Sequence, residues 1–357
     1  MGVSLPAATA RTAVNKFDDS VVRARLNDYL RSQTGPDATI SALKRYTVGF
    51  SWITFGFNAR WRDTNGLQQH DLILRIGPAG GLFAPYTAQP QFAALQALEQ
   101  TAVPLPKVYW WSDDSSILGG PFFICENVVG VASLPWVEEG KTAFPETKRQ
   151  TLADQLIDAL AALHRFEWRG TGLEIMDHGI NVDNAAQQQI DIWEQLLRGW
   201  QLRIYPQAEW AIEWLRARCP VAPRISVIHG DYRIGNFLEH EGQITAILDW
   251  EMVHLGDPHE DLGYMCLRAF RGSSRLMCHL ISREELYATY QERSGIPVSA
   301  RAVHFYEVFN TLKVFGIHVG AARSFENGNY NDLRMAAIGA HASRVLLQLE
   351  KLIAGAP

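Results

Sequence analysis

What the chain lacks narrows the field first. It has only four cysteines (Cys125, Cys219, Cys266 and Cys278), and no two form a Cys-x-x-Cys pair. Neither a zinc site nor a disulfide framework is indicated, and the thiols are read as reduced. No run of about 18 apolar residues exists to span a membrane. The N-terminus has no basic-then-apolar signal segment, so a cytoplasmic location is the expectation. Positive charge is not in excess either: 33 Lys and Arg against 38 Asp and Glu leave −5. That excludes the basic footprint of a nucleic-acid or acidic-membrane partner. Internal repeats and low-complexity segments are also missing. What remains, 47% hydrophobic and 20% charged over 357 residues, is the composition of an ordinary globular protein, long enough for two domains with their own cores. Eleven tryptophans are many. Large aromatics usually make core, and some can line an apolar substrate pocket.

One stretch carries chemistry. Val227-Ile-His-Gly-Asp-Tyr-Arg-Ile-Gly-Asn-Phe-Leu is followed by Ile247-Leu-Asp-Trp-Glu, which sets Asp231, Asn236 and Asp249 within nineteen residues. Residues 225–228 are short, apolar and β-branched, the pattern of a buried strand. Residues 237–240 and 243–249 read as two strands about a Glu241-Gly242 turn. With His240 facing Gln243, Asn236 faces Ile247, and Asp249 lies two residues further on the same face. Asn236 and Asp249 are then roughly 7 Å apart along the strands. An amide oxygen and a carboxylate so placed suit a hard cation such as Mg2+. Asp231, just upstream in the loop, can accept a proton from a hydroxyl delivered beside the metal. The Asp-x-x-x-x-Asn spacing is that of the protein-kinase catalytic loop, where Asp is the base and Asn a metal ligand. Any one of these residues alone reads as an ordinary turn residue; the spacing and strand context make them a candidate site.

With Gly230 in place of the kinase arginine and Asp-Trp-Glu in place of Asp-Phe-Gly, the stretch resembles the aminoglycoside phosphotransferase and choline-kinase-like family. There the loop reads His-Gly-Asp-x-x-x-x-Asn and the metal strand ends Asp-Trp/Phe-Glu. Gly256-Asp-Pro-His-Glu-Asp-Leu-Gly263 continues the likeness. The resemblance implies an α+β, two-lobed protein-kinase-like fold. Residues 1–129 would form a small β-rich N-lobe with the nucleotide-binding sheet and hinge. Residues 130–357 would form a larger helical C-lobe with the catalytic loop and acceptor site. It also implies ATP and Mg2+ as cofactors, with Asn236 and Asp249 on the metal and Asp231 as base. Arg75 would neutralise the α- and β-phosphates, Ser51 in a Gly-x-Ser turn would lie over them, and the Glu126 carbonyl and Val128 N–H would bind adenine.

Arginine at position 75, rather than lysine, is similar to the branch fused to some acyl-CoA dehydrogenases. In the family an acid on the following helix pairs with the strand cation; that position here is Gln91, a departure, with Glu99 the nearest acid. The branch implies a small-molecule hydroxyl acceptor, a hydroxyacyl thioester or another apolar catabolic alcohol. An antibiotic kinase and a nucleotide-binding pseudokinase are the competing readings. A polycationic aminoglycoside is disfavoured, because residues 301–330 contain only Glu307 and Glu326 as acids.

The other elements follow from periodicity and turn residues. Helices are expected over residues 17–32 (Val21, Val22, Leu26 and Leu30), over 91–98, through Leu152 to Leu163, through Trp193 to Trp200, and through Trp210 and Trp214. A long helix with one apolar face is expected over 304–320, and a single last helix over 333–353. Strands are expected within 46–61, at 72–76, 108–111 and 121–126, with a turn at Asn65-Gly66. His164 and His229 read as structural, Asp257 and Asp261 as helix-capping residues. Glu251 stands open between a water-bridged second Mg2+ contact and a helix N-terminal charge.

Overall fold

The structure, a computed structural model, describes residues 18–47, 49, 51–64, 66–134, 143–328 and 332–355. The lead-in over residues 1–17, Val48 and Phe50 beside Gly49, and Asn65 of the Asn65-Gly66 turn lie outside the described residues.

Helix α1 (Asp19–Thr34) starts where the Asp18 side chain accepts from the N–H groups of Ser20 and Val21, and it stops at Gly35. It buries Val22, Leu26 and Leu30; Val21, expected on that stripe, is exposed. Strands β1 (Thr39–Ile40), β2 (Lys44–Tyr46), β3 (Ile53–Asp63) and β4 (Gly66–Ile76) follow, then helix α2 (Gln89–Leu98), β5 (Val108–Ser112), α3 (Ser115–Leu118) and β6 (Phe122–Glu126). Pro90 near the start of α2 suits a first helical turn, so the helix begins two residues before the expected 91.

The sheet is antiparallel, ordered β1-β3-β4-β6-β5, with β2 also on β3. Alternation along a strand sends its side chains to opposite faces. Phe55, Phe57, Leu72, Leu74, Ile76, Phe122 and Ile124 therefore pack with the α1 residues. Ile73, Phe123 and Cys125 face the other way and join a core that continues through α2 into the helical part. Arg75 shares that second face, pointing away from α1.

The helical part comprises α4 (Glu146–Arg165), α5 (Ala185–Trp200), α6 (Pro206–Arg216), α7 (His259–Met265), α8 (Arg283–Ser294), α9 (Ala300–Glu326), α10 (Leu333–Ala340) and α11 (Ala342–Ala354). Between α6 and α7 lie β7 (Ser226–Ile228), the hairpin β8 (Phe237–His240) with β9 (Gln243–Ile247), and β10 (His254–Gly256), which pairs with β7. The expected single last helix is two. Gly339 lets α10 approach Ala322 of α9 closely, and the chain turns at His341, whose N–H bonds the Ile338 carbonyl. Helix α9 is also more deeply set than a one-faced stripe implies. It touches α5, α6, α7, α10 and α11, and its interior is buried nearly all round.

Candidate active site

The geometry starts from β7, a fully buried strand that delivers His229 into the interior. The loop that follows is held by side chains. Asp261 of α7 accepts the N–H groups of His229 (2.8 Å) and Gly230 (2.9 Å). The His229 ring bonds the Leu248 carbonyl through Nε2 (2.8 Å) and accepts the Asp231 N–H at Nδ1 (3.1 Å). Burial keeps the His229 pKa below its ordinary value, as a neutral ring that donates on one side and accepts on the other requires. Its structural role is the expected one, as is that of His164, which bonds Tyr290 and Asp261. Gly230 sits at φ +79, and a Cβ there would lie 2.6 Å from the Met252 carbonyl oxygen. Only glycine fits.

Asp231 is buried but not alone. Arg233 reaches both carboxylate oxygens, Nε to Oδ1 at 2.8 Å and Nη2 to Oδ2 at 3.2 Å, while its guanidinium lies 4.4 Å from the centre of the Phe270 ring. The Asn236 amide nitrogen donates to the Asp231 carbonyl (2.9 Å) and to Oδ2 (2.5 Å), which leaves the amide oxygen for a cation. Sequence reasoning passed over Arg233, although it stands inside the same motif. It also took Asp261 for a helix cap. Asp261 binds the loop and His164 instead; Asp257 stands one residue before the N-cap Pro258 and accepts the His259 N–H.

The hairpin turn is as expected: Glu241 and Gly242 both have positive φ, the two-residue turn that suits strand twist. Its register is not. Phe237, not Asn236, faces Ile247, because Thr245 is an extra residue between the Leu238–Ala246 and Glu239–Ile244 pairs. The Thr245 hydroxyl donates to the Val129 carbonyl at 2.7 Å, and Val131 bridges to Glu239, so the bulge coincides with docking of the preceding connection. Asn236 instead pairs by backbone with Leu248, whose N–H donates to its carbonyl at 2.7 Å. Strand β9 ends at Ile247, and Asp249 sits beyond it in a left-handed conformation (φ 63, ψ 56). Asp249 thus follows the residue that bonds Asn236, in a loop conformation unusual for a residue with a side chain and not on a shared strand face.

Arg75 donates through Nη2 to Asp249 Oδ1 at 2.8 Å. Burial opposes ionisation of Asp249, yet the charge and hydrogen bond of Arg75 outweigh it and hold the carboxyl below its ordinary range. The guanidinium lies 5.9 Å from the ring centres of Trp52 and Phe123, and its buried Nε has no partner among the described residues. Gln91 is buried and Glu99 exposed; among the described residues the Arg75 hydrogen bond goes to Asp249, not to either of them. Glu251, in a short 3-10 turn, accepts the Ser51 hydroxyl from the segment before β3. Burial, then the charge of Asp249, pushes its pKa up to about 7. Glu126 ends β6 opposite Leu72, and Val128 lies on the connection that leads to the Val131–Glu239 bridge.

Residues 55–302 match the family model described as the phosphotransferase enzyme family. The chain belongs to that family. Among curated proteins, this phosphotransferase is similar to mouse acyl-CoA dehydrogenase family member 10, with 29% identity over 71% of the chain and 24% of the relative. It is also similar to acyl-CoA dehydrogenase family member 11 of Pongo abelii, with 27% identity over 88% of the chain and 40% of the relative. The chain thus spans well under half the length of these relatives. Among solved structures it is similar to a candidate aminoglycoside phosphotransferase from Ralstonia eutropha (TM-score 0.71, 23% identity, 94% of this chain and 98% of that one). A second is an aminoglycoside phosphotransferase in ternary complex with ADP and hygromycin B (TM-score 0.57, 16% identity, 93% and 99%). The expected two-part kinase-like fold, a small antiparallel sheet followed by a helical part, is the fold of this phosphotransferase. No helix among the described residues is long and apolar enough to cross a membrane.

Proposed function

We propose that this phosphotransferase moves the terminal phosphoryl group of ATP to a hydroxyl of a small molecule, working at the junction of two lobes divided at 129/130. A single observation carries the reading: two hydrogen-bonded pairs, Asn236 with Asp231 and Arg75 with Asp249, are tied together by the Leu248 N–H on the Asn236 carbonyl, one residue before Asp249. The transfer forms a bond from the acceptor oxygen to phosphorus, breaks the bond to the ADP oxygen, and passes the hydroxyl proton to Asp231. Arg233 orients that carboxylate and stands where charge on the moving group can be met by a planar cation. Arg75 clamps the phosphates, Ser51 lies over them, and the backbone of Glu126 and Val128 receives adenine.

The donor set also fits Mg2+. The described residues contain no group of three or more His, Cys, Asp or Glu able to hold a metal. The amide oxygen of Asn236 and the carboxylate of Asp249 would hold it, two hard oxygen donors of the kind magnesium takes when it keeps much of its water. When bound, the ion neutralises charge on the phosphates.

For the acceptor we favour an apolar alcohol such as a hydroxyacyl thioester. The likeness to domains of acyl-CoA dehydrogenase family proteins supports this, and so does the fate of Glu307, whose carboxylate is already taken by Arg283 and so is not available to a polycation. The test is ATP consumption with Mg2+ by wild type, Asp231→Ala and Asp249→Ala, joined to a mass-spectrometric screen of hydroxylated metabolites and antibiotics for a phosphate-mass gain. Unchanged turnover in both variants would remove the site. Nucleotide-induced stabilisation with no turnover on any alcohol would make the chain a binding protein.

A further inference from the structure

Helix α9 carries a charge that the chemistry above does not use. Lys313 is 1% exposed within a helix surrounded by others, where an ammonium is costly unless paired. It is paired with Glu260 of α7, Nζ to Oε1 at 3.1 Å, and lies 5.2 and 5.4 Å from the ring centres of Trp193 and Tyr264. Glu260 is itself fully buried and shared with His254. Asn310, one turn earlier on α9, donates to the Glu260 carbonyl at 2.9 Å. Charge balance alone would be met by these contacts. Lys313 makes one more, and its shortest: Nζ donates to the Gly230 carbonyl at 2.8 Å.

That carbonyl belongs to the peptide unit joining Gly230 to Asp231. A peptide unit is planar, so holding its oxygen and its N–H settles its orientation. The oxygen is held by Lys313 and the N–H by Nδ1 of His229. The unit follows a glycine at φ +79, the residue type with the fewest conformational barriers, so without both holds it is free to rotate. That unit sets the backbone from which the Asp231 side chain projects, while Arg233 and Asn236 hold its oxygens.

We infer that Lys313 is a positioning residue for the proposed transfer: it fixes the Gly230–Asp231 peptide, and through it the aim of the Asp231 carboxylate. The inference rests on the reading of Asp231 as the base. The experiment measures steady-state ATP turnover with Mg2+ for wild type, Asp231→Ala and Lys313→Met of the full chain, together with amide exchange read by mass spectrometry. Turnover by wild type and its loss in Asp231→Ala test the reading itself. Lys313→Met is then expected to lower kcat about 10- to 100-fold, the effect of a small misplacement of a reacting group, with KM for ATP within about twofold. Exchange should quicken in the peptide spanning 227–237 and stay unchanged in β4 and α4. A folded Lys313→Met with wild-type kcat overturns the inference while leaving Asp231 in place. So does a fall in kcat accompanied by an equal rise in KM and faster exchange throughout, which is the mark of a merely structural residue. Should Lys313→Met not fold, the pair Lys313→Met with Glu260→Gln removes both buried charges, and the same outcomes decide.

Discussion

The loop at Asp231 and the strand at Arg75 are joined through Leu248 and Asp249, but they are held in different ways. Around Asp231 the neighbouring backbone groups are taken by side chains from several elements: Asp261 of α7, Lys313 of α9, the His229 ring and Asn236. Around Arg75 the support is thin. Among the described residues Nε has no partner, Gln91 supplies no charge, and the hydrogen bond of the guanidinium goes to Asp249 beyond β9. Ser51 likewise leans on Glu251. One half is built before any ligand arrives; the other borrows its partners from the half it faces. A cation drawn to Asp249 and phosphates drawn to Arg75 would each compete with that pair, so on the proposed reading their arrival should disturb the Arg75 side and leave the loop as it is.

Four measurements can break or sharpen that contrast. The largest effect belongs to chemistry: Asp231→Asn should lower phosphoryl transfer about 10²- to 10⁴-fold, the range for removal of a general base, while ATP binding measured by titration is kept. Next is the fold cost of the built half. Asp261→Ala leaves two buried loop N–H groups and His164 without their acceptor and should cost about 3–5 kcal/mol in a urea titration. The borrowed half should behave in the opposite way. Arg75→Met removes a pair whose Asp249 side chain is 35% exposed, so stability should change by about 1 kcal/mol or less, while KM for ATP rises. Equal stability losses in these two variants would end the comparison.

The smallest effect is in the pH response. Burial tends to raise the Asp261 carboxyl, but the hydrogen bond and charge of His164 outweigh it and hold the pKa below the ordinary 3.8. A depressed folded value stabilises above the unfolded one and is lost as pH falls through the folded one. Melting temperature should therefore drop below about pH 4, with a shallower acid limb in Asp261→Asn than in wild type.

Much of this was legible in the chain. The Glu241-Gly242 turn, the hairpin strands, α1 and the buried β7 follow from patterns set by a few consecutive residues. The register of the hairpin was not legible, since the bulge at Thr245 accompanies a bond to Val129, which is 116 residues away. Nor was the partner of Arg75, 174 residues off, nor the break at His341, which goes with the close approach of Gly339 to α9. Arg233 could have been found: a cation two residues from the expected base is visible without a structure.

By itself the amino-acid order determined the element types, the spacing of Asp231, Asn236 and Asp249, and the kinase-like family. Each of these depends on backbone geometry over short spans. Tertiary structure alone decided that Asp249 leaves its strand left-handed to meet Arg75, and that a buried ammonium from α9 grips the peptide before Asp231. Those outcomes depend on which surfaces come together, and a partner for a buried charge is chosen by proximity in space, which spacing along the chain does not encode.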